Sequence, residues 1–252
     1  MKILRTLLVV LFAITSVGIA SAQDETATLK IRFKYKGKAP VPRLIAPRGF
    51  PALRDESLIV NSKNNGIQNV VVFVKSGRGL PTLLPQKPLN RNLKLDLRNG
   101  RFEPHILLGC VGDTITATNR DPVAHSVSVG GFANELGFTV PANQLKRFKL
   151  AAVEPTLIPI SCIIHPWMKA YMLVVDHPFA GVSDKDGLLE IKGLPTETKL
   201  VFQAWHETGT FKEDILVKGK QTKWRRNRLE LELEAGIHDL GTVEIPGDQF
   251  DL

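Results

Sequence analysis

The sequence is short of cysteine and of helical periodicity, and each shortage excludes a class of protein. Its 252 residues include two cysteines, too few for a fold that is built on disulfide bonds. After the first 22 residues we find no sustained apolar repeat of about 3.6 residues, which argues against a helical fold. The balance of 43% hydrophobic and 23% charged residues also excludes a disordered chain, collagen and a polytopic membrane protein. What remains is an ordinary globular chain.

Motifs for catalysis and for phosphate binding are also missing. There is no Gly-x-Ser-x-Gly sequence of the kind that presents a nucleophilic serine. Gly130-Gly131 and Gly77-Arg78-Gly79 look like turns, because no strand–loop–helix pattern surrounds them. The formal net charge is +8, but without a clustered basic patch this charge does not indicate nucleic-acid binding. We therefore expect neither enzymatic activity nor a nucleic-acid partner.

The first 22 residues have the layout of a secretory signal peptide. Lys2 and Arg5 precede a mostly apolar run from Leu7 to Ala20, and Ala20-Ser21-Ala22 supplies the small residues that a signal peptidase needs. An uncleaved membrane anchor is the alternative, but the apolar run is shorter than the ~20 residues that span a bilayer. We expect cleavage after Ala22, a mature chain that is secreted or periplasmic, and no stable membrane insertion.

Apolar and charged residues alternate in many segments, which predicts β-strands with one buried face. Leu29–Tyr35 alternates with basic residues, and Leu229–Leu233 alternates with acidic residues. The other predicted strands are Asn69–Lys75, Phe102–Val111, Thr114–Asn119, Ser126–Val129, Leu145–Ala151, Leu157–Cys162, Tyr171–Asp176, Leu188–Lys192 and Leu200–Trp205. Turn-forming residues separate nearly all of them. The sequence therefore predicts an all-β fold made of β-sandwiches.

The best domain boundary lies near Asp176-His177-Pro178, where an apolar strand ends and a hairpin rich in Gly and Asp begins. We expect one sandwich over residues 23–176, with its core in 99–176, and a smaller sandwich over 177–252. Residues 38–68 are rich in Pro, Asn, Arg and Gly, and they predict a long excursion within the first unit.

One short segment brings three metal-ligating side chains together. Cys162-Ile163-Ile164-His165-Pro166-Trp167-Met168 follows a predicted strand and carries a thiol, an imidazole and a thioether. A second imidazole, His125, follows the end of another predicted strand. One Cys and two His with a weak axial Met form the ligand set of a mononuclear type 1 copper site, whereas structural zinc sites do not use Met. We therefore predict one copper ion at His125, Cys162, His165 and Met168.

These residues resemble the cupredoxins. The Cys-x-x-His-x-x-Met spacing is similar to that of amicyanins, and Phe102-Glu103-Pro104 and Val111–Ile115 look like the strands that lead to the first His ligand of a cupredoxin. The resemblance covers residues 99–176 and implies a Greek-key sandwich with these four ligands. Because that stretch holds only about six predicted strands, we expect Leu29–Tyr35 and Asn69–Lys75 to complete the sandwich.

Neighbours of the ligands are expected to adjust the copper site. Amicyanins have a proline immediately before the second His, where this chain has Ile164. We expect the Ile164 N–H to donate to the Cys162 sulfur and so to raise the reduction potential. Pro166 would stiffen the loop, and Trp167 would cover the copper, form part of a partner-docking patch, or simply pack. The complete set of neighbours is Asn119, Ser126, Ile164, Pro166 and Trp167.

The cysteines and histidines also allow roles other than copper binding. A disulfide between Cys110 and Cys162 is the alternative, but in a cupredoxin sandwich they would lie at opposite ends, beyond the ~7 Å between Cα atoms that a disulfide allows. We expect a structural role for His105. A second metal site at His177 and His206 would require the second sandwich to fold back on the first.

The remaining part of the chain has resemblances of its own. Val182–Leu188, Ile191–Pro195 and Val201–Trp205 resemble the carboxypeptidase-regulatory, transthyretin-like β-domains, which implies an accessory or interaction module.

The wider layout, with Asp55-Glu56-Ser57-Leu58 early and Ala204-Trp205-His206-Glu207 late, is similar to secreted bacterial proteins labelled methylamine utilisation protein. Those proteins carry further cysteines before the first of these segments and before a Phe-x-Pro-His segment, and this chain lacks both.

The expected function is that of a secreted or periplasmic one-electron carrier with a single type 1 copper and a redox protein as its partner. Two alternatives stay open. A copper carrier or storage protein would use the same ligands without redox exchange, and a metal-free adhesion or polymer-binding module would need the sandwiches alone.

Overall fold

The structure is a computed structural model, and it describes residues 26–77, 80, 83, 87–211, 215–217, 220–222 and 227–251. The signal peptide predicted over residues 1–22 lies outside these ranges. Within the described ranges, no helix is long and apolar enough to cross a membrane.

The described residues form twenty strands and one short 3-10 helix, and no α-helix is found among them. The predicted all-β fold is therefore confirmed. In chain order the strands are β1 (Ala27–Lys36), β2 (Leu44–Ile45), β3 (Leu53–Arg54), β4 (Val71–Val74), β5 (Asn92–Arg98), β6 (Arg101–Glu103), β7 (Ile106–Cys110), β8 (Thr114–Asn119), β9 (His125–Val129), β10 (Leu136–Val140), β11 (Leu145–Lys149), β12 (Ile158–Ser161), β13 (Lys169–Val175), β14 (Ala180–Val182), β15 (Leu188–Leu194), β16 (Lys199–Trp205), β17 (Ile215–Val217), β18 (Lys220–Thr222), β19 (Arg228–Glu232) and β20 (Gly236–Pro246), and the 3-10 helix is Gly247–Gln249.

Residues 92–175 form a sandwich of two sheets, here called the central sandwich. One sheet has the order β10-β9-β12-β13-β7, and the other has the order β11-β8-β5-β6. β5 runs parallel to β8 and β7 runs parallel to β13, whereas the other paired strands are antiparallel. Alternate residues of the strands, such as Leu95, Leu97 and Ile115, are fully buried between the two sheets. This core holds the end of the sandwich that carries the predicted ligands.

The outer sandwich consists of the remaining strands apart from β2 and β3. Its sheets have the orders β15-β1-β20-β17-β18 and β14-β4-β16-β19. The buried face of β1, with Leu29, Ile31 and Phe33, packs in the same core as Phe202 of β16. The basic face of β1 points away from this core, as the alternation in the sequence predicts.

The allocation of strands to the two sandwiches differs from the prediction. We expected β1 and β4 in the first sandwich, but β1 pairs with β15 and β20, and β4 pairs with β14 and β16. The central sandwich is therefore an insertion between β4 and β14, and no boundary at residue 176 separates two consecutive units. Alternation shows that a strand has one buried face, but it does not show which sheet covers that face.

β5 and β10 are the strands of the central sandwich that the sequence interpretation missed. In β5, Leu93, Leu95 and Leu97 alternate with polar residues, and the strand lies between β8 and β6. With these strands, residues 92–175 complete both sheets without the N-terminal strands. In the rest of the chain, β2, β3, β14, β17, β18 and β20 are also absent from the predicted strands.

The two sandwiches pack face to face through a third core. Val71 and Phe73 on the outward face of β4 lie against Ile106 and Cys110 of β7 and Val175 of β13. The four sheets therefore form successive layers, and the central sandwich is held on one side by apolar packing.

The predicted excursion over residues 38–68 contains the short hairpin of β2 and β3. The turn of this hairpin brings Phe50 to the ligand end of the central sandwich. Gly100 lies directly beneath the ring, because a Cβ atom there would approach the ring to 2.9 Å. Gly100 also has a φ of 69°, so both its backbone and its neighbour favour glycine.

Candidate metal centre

Three of the four predicted ligands meet at one end of the central sandwich. The Nδ1 atoms of His125 and His165 are 2.9 Å apart, and the Cys162 Sγ lies 3.7 Å from the His165 Nδ1. One donor atom from each of these residues lies within 4.8 Å of the other two. In the part of the chain that the structure describes, no other group of three His, Cys, Asp or Glu side chains is this compact.

The sheet topology explains why distant residues meet here. β9 and β12 are antiparallel neighbours, with Ser161 paired to Ser128. The start of one strand therefore lies beside the end of the other. His125 is the first residue of β9 and Cys162 follows the last residue of β12, so the register places both at the same edge of the sheet.

A tight turn forms the segment from Cys162 to Met168, here called the ligand loop. The Met168 N–H donates to the His165 carbonyl at 2.9 Å, and the Cys162 N–H donates to the Met168 carbonyl at 3.3 Å. The backbone of Met168, the fourth predicted ligand, is thereby held against that of Cys162. Both side chains are 1% exposed and belong to the central core.

The Cys162 sulfur accepts hydrogen bonds from neighbours on both sides. The N–H groups of Ser126 and His165 each lie 3.3 Å from it, and the Ser126 hydroxyl lies 3.6 Å away. The predicted bond from the Ile164 N–H is not among the hydrogen bonds of the described residues. In this turn the amide three residues after the cysteine points back to the sulfur, so His165 takes the role that we assigned to Ile164.

These contacts change the acidity of the thiol. Burial by itself would raise the pKa of Cys162, but hydrogen bonds from His125 and Ser126 lower the pKa to about 6. The side chain is therefore a thiolate at neutral pH, and the thiolate is the form that binds a metal.

The Asp121 carboxylate, which the sequence interpretation did not assign to the site, orients the His125 ring. This ring is completely buried, and its Nε2 lies 2.9 Å from the Asp121 Oδ2. Burial would lower the pKa of His125, but the Cys162 sulfur and the Asp121 carboxylate raise it. A carboxylate on the outer ring nitrogen directs Nδ1 into the cluster. The sequence feature that could have indicated this contact is the acidic residue four positions before the histidine.

The loop before His125 is fixed by a network of amide hydrogen bonds. The Asn119 side chain donates to the carbonyls of Val123, Val140 and Pro141 and accepts from the Asp121 N–H at 3.0 Å. Asn119 therefore orients the loop without contacting the cluster, which agrees with its predicted place around the ligands.

Aromatic rings cover the more exposed side of the cluster. The Phe50 ring meets the His165 ring edge-on with centroids 5.2 Å apart, and it also contacts Trp167 at 5.7 Å. Trp167 itself packs against His165 at 5.1 Å and donates its indole N–H to the Gly100 carbonyl at 3.1 Å. Trp167 therefore packs against its neighbours and also covers the His165 ring. Phe50 was missed because it lies in a segment without periodicity, far from the ligands in sequence.

Both cysteines are free and buried. Cys162 lies in the central core, whereas Cys110 lies in the core between the two sandwiches. The alternative of a disulfide between them is therefore not realised. Cys110 packs as a small apolar side chain, and burial raises the pKa of its thiol.

The other histidines lie apart from the cluster. His177 stacks on Phe179 with ring centroids 5.4 Å apart, and His206 meets Phe250 at 5.4 Å. Burial lowers the pKa of His206 to about 4, so its ring is neutral. These contacts give both residues packing roles. His105 lies 2.6 Å from Glu207 through its Nε2.

Comparisons with known proteins were made for the whole chain. Family models and curated proteins give no match. Among solved structures, a Met-to-Gln mutant of amicyanin with Cu(I) is 21% identical over 33% of this chain and 81% of that chain, with a TM-score of 0.30. A reduced Pro-to-Phe mutant of amicyanin is 20% identical over 38% of this chain and 95% of that chain, with a TM-score of 0.30. The resemblances of the C-terminal part stay predictions.

Proposed function

We propose that this protein binds one copper ion at His125, Cys162 and His165, with Met168 as the axial ligand, and that it carries single electrons. The supporting observation is the convergence of one thiol and two imidazoles at a single, largely buried point. One thiolate and two imidazoles form the equatorial set of a type 1 copper site.

The donor atoms of the cluster suit a soft cation. Because the His125 Nε2 pairs with Asp121, Nδ1 is the nitrogen that faces the His165 Nδ1, and it would bind a metal ion after losing the proton that it donates to the Cys162 sulfur. Three electron-pair donors this close together repel one another unless a proton or a metal cation lies among them. When bound, copper supplies a one-electron couple at a site of this chemistry.

Contacts from the surrounding protein hold these side chains in place. The Cys162 sulfur is fixed by amides of two segments, the His125 ring by Asp121, and the His165 ring by Phe50 and Trp167. Ligands that are already positioned need little rearrangement between oxidation states, which favours fast electron exchange. The same packing leaves little room for a substrate at the cluster, and this supports a carrier over an enzyme.

Exposed apolar residues beside the ligand loop support a protein partner. Ile163 is 76% exposed and Ile164 is 51% exposed, directly between two proposed ligands, and Val123 before His125 is 41% exposed. Exposed apolar side chains next to a site are typical of docking surfaces. We propose a secreted or periplasmic redox protein as the partner, in line with the leader that the sequence predicts.

Titration of the mature protein with Cu(II) tests this proposal. We expect one equivalent to give an intense visible band from thiolate-to-copper charge transfer. This band should be absent in Cys162→Ser and present in the matched variant Cys110→Ser. Cyclic voltammetry of the loaded protein should then show a reversible one-electron couple. A band without a reversible couple would favour copper storage, and no band in the unmodified protein would contradict the proposal.

A further inference from the structure

Glu56, His105 and Glu207 come from three separate parts of the chain and meet beside the ligand loop. Glu56 follows the β2–β3 hairpin, His105 precedes β7, and Glu207 follows β16 of the outer sandwich. The three residues line a cavity of about 350 Å³ whose wall also includes Trp167 and Met168. The cavity is thus separate from the cluster of His125, Cys162 and His165 but shares the ligand loop with it.

Glu207 sets the orientation of the His105 ring. Its Oε1 lies 2.6 Å from the His105 Nε2, and the two side chains are only 8% and 9% exposed. Glu207 also accepts a hydrogen bond from Tyr171, and burial together with this carboxylate raises the pKa of Tyr171 to about 12. The carboxylate therefore fixes the ring proton on Nε2 and leaves the lone pair of His105 on Nδ1.

The His105 Nδ1 has no hydrogen-bond partner although it is buried. The Glu56 Oε2 lies 3.9 Å from it, and the other oxygen of Glu56 accepts a hydrogen bond from Arg101 at 2.6 Å. A nitrogen lone pair and a carboxylate oxygen therefore face each other across a gap. A buried polar atom without a partner is costly and calls for an explanation.

We propose that His105 and Glu56 bind a second metal ion of the first-row divalent class, such as Zn(II), with Glu207 as a positioning residue. Bonds of about 2.1 Å from a metal ion to nitrogen and oxygen together exceed the 3.9 Å gap, so one ion reaches both atoms without moving either. Ser57 lines the same cavity, and water would complete the coordination.

Two further observations agree with this assignment. The carboxylate on the His105 Nε2 repeats the arrangement of Asp121 and His125 at the other cluster, and a carboxylate on the outer ring nitrogen is usual for a metal-binding histidine. Burial raises the pKa of Glu56, a cost that a bound cation would offset. The cavity wall also carries four cations (Arg43, Arg54, Arg101 and Lys169) against three acids (Asp55, Glu56 and Glu207), so the assignment depends on the donor atoms and not on the net charge of the cavity.

An ion at this place would join parts of the molecule that are distant in sequence. It would tie the segment after the β2–β3 hairpin to the central sandwich, and through Glu207 it would link both to the outer sandwich. Since Trp167 and Met168 share the cavity wall, the ion would also stiffen the ligand loop.

Calorimetric titration with Zn(II) tests the second site independently of copper. The starting protein is the full chain with Cys162→Ser and His165→Ala, which disables the other cluster. We expect one bound equivalent, a loss of affinity of at least tenfold in Glu56→Gln and in His105→Asn, and about tenfold in Glu207→Gln, as is usual for a residue that orients a ligand. The matched controls Glu103→Gln and His238→Asn should bind Zn(II) with unchanged affinity.

Thermal unfolding supplies a second readout that does not depend on the calorimetry. We expect Zn(II) to raise the Tm of the starting protein and to leave the Tm of its Glu56→Gln derivative unchanged, with far-UV circular dichroism confirming that both are folded. If the starting protein binds no Zn(II), or if Glu56→Gln and His105→Asn bind it equally well, the second site is ruled out. A missing copper band in the unmodified protein would contradict the proposed function alone.

Discussion

Cys162 and Cys110 are both buried, yet their surroundings change the acidity of the two thiols in opposite directions. Donors from His125 and Ser126 lower the pKa of Cys162 to about 6, whereas burial raises the pKa of Cys110. A group with a lowered pKa is ionised above that value, so Cys162 should be a thiolate at pH 7 and Cys110 a thiol.

Ultraviolet absorption of the thiolate in the metal-free protein checks this difference. We expect one thiolate to appear with a midpoint near pH 6, to persist in Cys110→Ser and to vanish in Cys162→Ser. A single midpoint at pH 9 or above in the unmodified protein would mean that the hydrogen bonds to the Cys162 sulfur are not formed.

Asp121 is the residue with the most direct influence on the imidazole of His125. A negative carboxylate on the outer nitrogen makes the ligand more basic and favours the more highly charged oxidation state of the bound metal. Asp121→Asn removes this charge and should raise the reduction potential. A tenfold change in the relative affinity for the two oxidation states corresponds to about 59 mV, and we expect a shift of that order in voltammetry.

Asp96→Asn is the control for this substitution. Asp96 pairs with Arg120 on the surface of the central sandwich, at 3.1 Å, and among the hydrogen bonds and ion pairs of the described residues none joins it to the cluster. Its replacement should leave the potential within experimental error. Equal shifts for both variants would show that Asp121 acts only through general surface charge.

At the scale of single elements, the β2–β3 hairpin has a role that its two short strands do not suggest. Through Phe50 it covers the His165 ring, the imidazole that is less buried than His125. Phe50→Ala should expose His165 to solvent and accelerate the removal of copper by a chelator by about tenfold, while the visible band keeps its position.

Phe132→Ala is a matched substitution of an exposed phenylalanine, 83% accessible in a loop of the central sandwich. It should leave the rate of copper removal unchanged. If Phe50→Ala also leaves this rate unchanged, the hairpin does not control access to the metal centre.

The elements also show why the site was easier to predict than the arrangement of strands. Cys162 and His165 lie three residues apart, and the backbone of Met168 is held against Cys162 in the same turn, so this part of the site is a local property of one turn. The allocation of β1 and β4 depends on partners more than a hundred residues away, such as Leu189 and Trp205. Alternation carries no information on such pairing.

The contacts missed at the site follow the same rule. Asp121 lies only four residues before His125, so its contact with that ring could be predicted from the sequence. Phe50 reaches the cluster only because the excursion over residues 38–68 folds back over the sandwich. Glu56, His105 and Glu207 meet only because the outer sandwich packs on the central one. Such convergence becomes visible only with the complete fold.

At the scale of the whole molecule, the core between the sandwiches predicts cooperative unfolding. Val71, Phe73 and Val175 are at most 4% exposed within it, so neither sandwich can unfold without exposing apolar surface of the other. We expect tryptophan fluorescence and far-UV circular dichroism to report one coincident transition. Phe73→Ala should lower the free energy of unfolding by about 3–5 kcal/mol.

Leu188→Ala is the control, because Leu188 in the outer sandwich is 48% exposed and its truncation should cost less than about 0.5 kcal/mol. Two separate transitions in the unmodified protein would show that the sandwiches are independent units and that the third core contributes little.

X-ray absorption spectroscopy of the protein loaded with one equivalent of copper tests the central claim most directly. We predict one short copper–sulfur bond and two imidazole nitrogens in both the oxidised and the reduced protein, with the sulfur lost in Cys162→Ser and the imidazole count reduced in His125→Ala. A copper environment made only of nitrogen and oxygen, or one unaffected by these substitutions, would contradict the account.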